Sequence, residues 1–222
     1  WALGEETYPW HPWSAESDSN PLMVLGSVCI PKDAQEALFT PKEDVDICHQ
    51  FRELSERGDP GHNDALCTAT AWISPDLMTG ALAGSENPSY QLHPLVIFWR
   101  SGEGLGTVKL LRSWPNGSMQ HMHTVFFNGT AHKNHIDMDV QTCVNRDVKY
   151  FFEIECPHAA SAQIEADQWT LPGLTIHLRA DAPAPVVEKR SDSVIRVCYL
   201  AEVEKPETMH MQFHLDAEKT NE

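Results

Sequence analysis

The chain has 222 residues, a formal net charge of −16 and a hydrophobic fraction of 41%, which suits one large all-β domain or two small ones. A surface this acidic repels phosphate, so we expect no direct nucleic-acid binding by the folded domain. No apolar run reaches the ~20 residues that a membrane-spanning helix needs. The 15 prolines and 12 glycines are spread along the sequence, which favours many short strands joined by turns.

Residues 1–40 form the first predicted segment, an extended N-terminal arm. The arm contains Trp1, Trp10 and Trp13 together with prolines and an acidic patch at residues 16–18. Apolar rings grouped in this way need a protein surface to cover them. We therefore expect the arm to lie against neighbouring chains, and residues 41–222 to form the folded domain.

One helix is predicted immediately after the arm. Thr40 can cap its first turn, Pro41 suits the first helical position, and Glu43 completes a capping box. An apolar stripe at helical spacing follows at Val45, Cys48, Phe51 and Leu54. Gly58 and Pro60 then end the helix.

The remaining sequence shows the period of two that is typical of half-buried strands. Clear alternation predicts strands over residues 148–156, 174–178, 195–201 and 209–215. In the first of these, Glu153 and Glu155 face outward, Phe151 is an aromatic exception, and the inward face holds Val148, Tyr150, Phe152, Ile154 and Cys156. Further strands are predicted at residues 95–99, 107–111 and 121–127.

Turn signals separate these strands at Pro115-Asn116-Gly117, Asn128-Gly129, Pro172-Gly173 and Pro183/Pro185. The loop at residues 102–106 contains three glycines between two predicted strands. It does not open a helix that would offer its dipole to a phosphate, so we interpret it as a hairpin turn. Seven or more half-buried strands favour a β-sandwich.

Histidines form the most suggestive groups of side chains, at His121, His123, His132, His135, His210 and His214. Metal sites can be built from paired strand histidines. However, no carboxylate or Cys stands at a characteristic spacing from them, and such short motifs often occur without a function. We therefore predict exposed strand histidines and no metal site. Their protonation below neutral pH would either loosen contacts between subunits or tighten them through nearby carboxylates.

No catalytic motif stands out in the sequence, so we predict no catalytic residues, no cofactor-binding residues and no enzymatic activity. The six cysteines, at positions 29, 48, 67, 143, 156 and 198, are scattered and contain no CxxC pair. This pattern favours buried thiols over a zinc signature or a disulfide framework. Two N-glycosylation sequons begin at Asn116 and Asn128.

Three segments of the sequence fit motifs that members of one protein family share. Residues 43–57 fit the spacing x-S-h-R-x-L-h-x-R, where h is apolar, at Phe51, Arg52, Leu54 and Arg57, with His49 or Gln50 in place of the serine. Residues 93–102 and 107–111 fit a pair of strands that the family joins by an Arg-Gly turn. In this chain the turn reads Arg-Ser-Gly and is extended by residues 103–106. Residues 151–158 read FFEIECPH and fit a strand end at which the family has Pro and two aromatics. In this order, the segments resemble the major capsid proteins of picorna-like viruses, especially the dicistrovirus, iflavirus and marine-alga-virus (marnavirus) branch.

The resemblance implies an eight-stranded antiparallel jelly-roll β-sandwich with an extended N-terminal arm and one or two short helices. It implies a structural capsid protein of a non-enveloped icosahedral positive-strand RNA virus, cut from a polyprotein made in the host cytoplasm and located in the virion. Its partners would be other capsid proteins, symmetry copies of itself and a host receptor. The family pattern brings no catalytic site and no cofactor.

Two other classes stay open on the sequence alone. The sequons and the surface aromatics also fit a secreted or cell-surface β-sandwich that binds carbohydrate or protein. An enzyme of the cupin type would use His121, His123 and a carboxylate such as Asp137. Glycans at Asn116 or Asn128 would favour the secreted protein, and a stoichiometric metal would favour the cupin.

Overall fold

The structure, a computed structural model, describes residues 44–52, 66–85, 94–101, 104–113, 119–120, 126–144, 150–182, 184–199 and 207–220. These residues are almost entirely β and pair in antiparallel fashion, which confirms the predicted all-β class. The strands, in chain order, are β1 (Val45–Arg52), β2 (Leu66–Ile73), β3 (Leu77–Ser85), β4 (Leu95–Ser101), β5 (Gly104–Ser113), β6 (Met119–Gln120), β7 (Phe126–His132), β8 (His135–Val144), β9 (Tyr150–Glu155), β10 (Gln163–Ile164), β11 (Gln168–Leu171), β12 (Leu174–Asp181), β13 (Pro185–Lys189), β14 (Val194–Tyr199) and β15 (Glu207–Lys219). A 3-10 turn at Ala159–Ser161 supplies the helical content of these ranges. None of the helical structure described is long and apolar enough to cross a membrane.

Contacts divide the chain into two units, residues 1–42 and 43–222. The predicted arm, residues 1–40, falls in the first unit and lies outside the described residues. The first part of the strand predicted at residues 121–127 lies outside them as well, and β7 begins at its last two residues. All of the described strands belong to the second unit.

One continuous, barrel-like sheet holds all of these strands. Its main path runs in the order β10-β11-β12-β15-β8-β7-β3-β4-β5-β9-β14-β13, while β2 and β1 extend from β3, and β6 extends from β5. The alternation predicts seven or more strands and the family resemblance implies eight, whereas the described residues form fifteen. Several of the additional strands are short, since β6 and β10 have two residues each. Two residues cannot show an alternating pattern in a sequence.

The sheet encloses an aromatic cluster centred on Phe152 of β9, which is fully buried. The Phe152 ring meets Trp169 of β11 edge to face at 5.2 Å between centroids, and Phe213 of β15 at 5.1 Å. Tyr199 of β14 packs against Phe213 at 5.0 Å. Since β9 and β14 lie towards one end of the sheet path and β11 and β15 towards the other, these rings join the two ends across the interior. Each such ring pair stabilises the fold by ~0.5–1.5 kcal/mol beyond its buried area.

The predicted alternation is confirmed in the strands that line this core. In β9, Tyr150, Phe152 and Ile154 are buried, whereas Glu155 is exposed. The inward residues of β12, β14 and β15 are buried as well, namely Leu174, Ile176, Leu178, Ile195, Val197, Tyr199, Met211, Phe213 and Leu215. The aromatic exception, Phe151, is buried in a second small cluster with Leu111 and Cys198. Leu111 and Cys198 are its register partners on β5 and β14, so this cluster lies on the opposite face of the sheet.

The helix predicted after the arm is wrong, because residues 45–52 form strand β1. This strand pairs with β2 along its whole length, from Val45 opposite Ile73 to Arg52 opposite Leu66. A capping residue contributes only about 1 kcal/mol to a helix. Eight backbone pairs with β2, in a segment that contains the β-branched Val45 and Ile47, outweigh a local signal of that size.

The turn predicted at Asn128-Gly129 is also wrong, because both residues lie inside β7. The chain reverses four residues later, through Lys133 and Asn134, with Lys133 at a φ of 52°. Gly129 is needed for close packing. A Cβ atom at this position would lie 2.3 Å from the movable Met138 methyl carbon and 3.0 Å from both Ala81 Cβ and the Leu82 carbonyl oxygen, which cannot easily move away. By contrast, the turn predicted at Pro172-Gly173 is confirmed between β11 and β12, where Gly173 has a φ of 73°.

Four cysteines have a described environment, and all four are reduced thiols. Cys67, Cys156 and Cys198 are buried, as the sequence predicts. Cys48 is exposed on β1, as are all the side chains described for that strand, at residues 45–50.

Candidate metal centre

The outer face of β8 and β15 carries a row of histidine and aspartate side chains. The row consists of His135, Asp137 and Asp139 on β8, and His210, His214 and Asp216 on β15. Each of these residues alternates with a buried apolar neighbour, at Ile136, Met138 and Val140 on β8 and at Met211, Phe213 and Leu215 on β15. Because successive side chains of a strand point to opposite faces, burial of the apolar set directs the polar set outward.

Asp137 is the centre of the row, because two imidazole rings point at its carboxylate. The Nε2 atom of His135 lies 3.1 Å from Asp137 Oδ1. The Nδ1 atom of His214, the register partner of Asp137 on β15, makes a short hydrogen bond to the same oxygen. The nitrogen and oxygen atoms of these three side chains lie within 4.8 Å of one another. The side chains are 35%, 47% and 43% exposed for His135, Asp137 and His214, so small solutes can reach them.

Asp216 holds the His135 ring from its other side. The Nδ1 atom of His135 lies 2.7 Å from Asp216 Oδ1, and the two residues are register partners. An ionised carboxylate can only accept a hydrogen bond, so Nδ1 carries the proton and donates it. In neutral His135, the lone pair is therefore on Nε2, the atom that faces Asp137.

The charges of the cluster shift the pKa values of two of its members. The hydrogen bond to Asp216 raises the pKa of His135 above 6.5, and the nearby charge of Asp137 adds to that effect although burial opposes it. Burial alone would raise the pKa of Asp137. The hydrogen bond from His214 and the proximity of His135 outweigh burial and hold that pKa below 3.8. Both shifts favour the charged pair.

A second histidine–aspartate pair lies further along the same face. His210 Nε2 is 2.5 Å from Asp139 Oδ1, and both side chains are about half exposed, at 53% and 40%. The ligand atoms of this pair do not group with a third histidine, cysteine or carboxylate in the part of the chain that the structure describes. The pair therefore resembles the main cluster in chemistry but has fewer donors.

The main cluster has the composition of a transition-metal site. Imidazole nitrogen and carboxylate oxygen bind zinc and neighbouring divalent metals, whereas calcium and magnesium take oxygen ligands. His135, Asp137 and His214 could hold the ion, and Asp216 would orient His135 from outside. Such a site polarises a bound water or fastens two strands together.

The grouping of the histidines in the structure differs from their grouping along the sequence. His121 and His123 lie outside the described residues. His132 is opposite His135 in the β7–β8 hairpin, but its Nδ1 faces Asp46 of β1 at 3.9 Å. His135 and His214, far apart in sequence, come together through the pairing of β8 with β15.

The sequence shows no carboxylate at the spacing of a known metal motif, but the structure places two carboxylates, Asp137 and Asp216, beside His135 and His214. Asp137 stands two residues after His135 on the same strand face, and Asp216 stands two residues after His214. The signal present in the sequence was the His-x-Asp spacing, which occurs once in each strand. The sequence does not show that β8 and β15 pair with each other.

The glycine-rich loop at residues 102–106 is confirmed as part of a hairpin. Strands β4 and β5 pair from Val96 opposite Lys109 to Ser101 opposite Gly104. The structure brings no histidine or carboxylate cluster to the described part of this loop.

No family model matches the chain, and neither the curated proteins nor the solved structures contain a significant match.

Proposed function

We propose that the chain is a structural subunit of a non-enveloped, icosahedral virus shell, and that its barrel-like sheet is an elaborated jelly roll. The proposal takes the chain to be a capsid protein of the picorna-like class that its sequence resembles. The observation that carries the proposal is the exposed apolar surface of two edge strands, which suits contact with further copies or partner chains.

Two of the edge strands, β1 and β13, carry this apolar surface. Among the described residues, β1 pairs only with β2, and β13 pairs only with β14. Large apolar side chains on these strands face solvent: Val45 and Ile47 are each 43% exposed, Val186 is 49% exposed and Val187 is 39% exposed. An exposed edge with apolar side chains is a template for pairing with another chain. A monomer has to protect such edges, whereas a shell subunit buries them against its neighbours.

Two of the three family-like segments support the same proposal. The described residues of the second segment lie in or next to the paired strands β4 and β5, and residues 151–158 include most of β9 and the strand end that follows it. These segments are adjacent in the sheet, since β5 pairs with β9 from Thr107 opposite Glu155 to Arg112 opposite Tyr150. The first segment forms β1 in place of the expected helix, so the resemblance rests on the other two.

The edge strands provide a direct test. The full chain would be produced with the other chains of its precursor, and particles would be separated by sedimentation. We expect Ile47→Lys and Val186→Lys to reduce particle yield strongly while the thermal unfolding of the free subunit changes little. Leu105→Lys is the matched control, because Leu105 is 61% exposed but lies on the β4–β5 hairpin. Normal particle yield in both edge variants would contradict the proposal.

A secreted or cell-surface binding protein is the second candidate, and the position of Asn128 favours it. This sequon asparagine is exposed on β7. Its Oδ1 accepts a hydrogen bond from the Gly84 amide at 3.1 Å, which leaves its amide nitrogen, the atom that carries a glycan, without a role in that bond. A mass decrease after treatment with a glycosidase would support this candidate over the capsid subunit.

A further inference from the structure

We propose that His135, Asp137 and His214 bind one zinc ion on the outer face of β8 and β15, and that Asp216 is a positioning residue for His135. The inference is independent of the proposed shell function, because it depends on one pair of strands inside a single chain.

The choice of zinc follows from the donor atoms. Two imidazole nitrogens and one carboxylate oxygen converge in the cluster. Calcium takes six to eight oxygen ligands and magnesium keeps most of its waters, so neither suits this set. Zinc binds nitrogen and oxygen together, and three protein ligands with a water in the fourth position are a common arrangement.

The distances fit a zinc ion with small side-chain adjustments. At the usual metal–ligand distances of about 2.0–2.2 Å, two ligand atoms of a tetrahedral site lie roughly 3.3 Å apart. The Nε2 atom of His135 and Oδ1 of Asp137 are already 3.1 Å apart. His214 reaches the same carboxylate from β15. In the metal-free cluster, a proton lies between His214 Nδ1 and Asp137, and a zinc ion would displace it together with the second proton of a charged His135 ring.

The backbone fixes the positions from which the ligands extend. Asp137 and His214 are register partners in a ladder that runs from Glu207 opposite Val144 to Asp216 opposite His135. The ladder is anchored on its inner side by Ile136, Met138 and Leu215, which are at most 2% exposed. Ligands on paired strands are held more precisely than ligands on loops.

Asp216 completes the arrangement. Its hydrogen bond to Nδ1 of His135, at 2.7 Å, selects the tautomer whose Nε2 lone pair faces Asp137. A carboxylate in this outer position makes a histidine a stronger metal ligand, and its loss typically weakens metal binding about 10–100-fold. Asp216 also adds a negative charge beside the proposed cation.

The test is a calorimetric titration of zinc chloride into the full, tag-free chain after removal of metal with EDTA and dialysis. We expect one zinc ion per chain. Asp137→Asn and His214→Gln should weaken binding more than about 100-fold, and Asp216→Asn about 10–100-fold. His210→Gln is the matched control, because it removes a histidine–aspartate pair on the same face and should leave the zinc affinity unchanged. Calcium chloride should give no binding.

Spectra of the histidine ring nitrogens in the parent chain keep the proposal testable if a variant fails to fold. Zinc should shift Nε2 of His135 and Nδ1 of His214 and should leave Nδ1 of His135 protonated. Failure to bind zinc stoichiometrically would overturn the proposal. Unchanged zinc affinity in folded Asp137→Asn and His214→Gln chains, or shifts confined to other histidines, would overturn it as well.

Discussion

At the scale of single residues, Gly106 shows why the glycine-rich hairpin has its composition. Gly106 is the register partner of Trp99, and a Cβ atom on it would lie 2.2 Å from Cε2 of the Trp99 indole. The indole cannot easily move away, because it is 1% exposed and its Nε1 donates a hydrogen bond to the Pro172 carbonyl at 2.8 Å. The glycine is therefore required for packing.

We predict that Gly106→Ala lowers the free energy of unfolding by about 1–3 kcal/mol, the usual cost of overpacking a core. Urea unfolding followed by tryptophan fluorescence measures this change. Gly104→Ala is the matched control from the same hairpin. Its added Cβ would meet one movable ring atom, Cγ of Pro157 at 3.0 Å, so a smaller loss is expected. Equal losses in the two variants would show that the Trp99 contact is not the cause.

The His135 cluster predicts a pH dependence of stability in metal-free protein. The raised pKa of His135 makes its stabilising effect complete below 6.5, and the effect disappears as pH rises through the raised value. The lowered pKa of Asp137 makes its effect complete above 3.8, and the effect disappears as pH falls through the lowered value. Both contributions are therefore present together between pH 3.8 and 6.5.

We predict that His135→Gln loses most stability relative to the parent at about pH 5, and that the difference shrinks by about pH 8.5. The titratable groups around His135 are Asp137 on its own strand, Asp216 and His214 on β15, and His132 across the hairpin. Thermal unfolding in EDTA at both pH values is the measurement. A difference that grows towards alkaline pH would contradict the assignment. Within the single chain, mild acid therefore strengthens this cluster.

At the scale of elements, β9 lies between β5 and β14 and contributes fully buried side chains to the core. Ile154 is fully buried between Ile195 of β14 and Val108 of β5, its register partners. We predict that Ile154→Asp abolishes folding, because it buries an unpaired carboxylate. Circular dichroism and thermal unfolding would show the loss. Glu155→Asn is the control on the neighbouring exposed position, and it should fold normally. A cooperative, parent-like unfolding transition of Ile154→Asp would mean that this face of β9 is not part of the core.

The elements also show where sequence reasoning succeeded. Faces could be predicted in β9, β12, β14 and β15, because a period of two depends only on which residues are apolar. The strand at residues 45–52 could not be predicted. Pairing with β2 makes this segment a strand and not a helix, and the local capping signals do not reveal that pairing. The His135 cluster was missed for the same reason, since its halves lie about 80 residues apart, as the separation of the His135–Asp216 pair shows.

At the scale of the whole molecule, the net charge of −16 and the exposed edge strands have opposite effects on association between chains. In the proposed shell, the charge would oppose random association of separate chains, while the apolar edge strands would favour specific contacts. In a shell, the charge of an enclosed genome would then be balanced by another chain's basic arm or by polyamines. The acidic domain would contribute the wall and would not bind the nucleic acid itself.

Electron microscopy of the chain captured from its natural source is the most direct test of the shell proposal. The capture would use antibodies raised against the folded chain, applied to both lysed and intact material. We predict closed isometric particles that contain this chain in many copies together with partner chains. Recovery of the chain solely as a monomer or as a glycosylated secreted protein, with no particles in either fraction, would contradict the account.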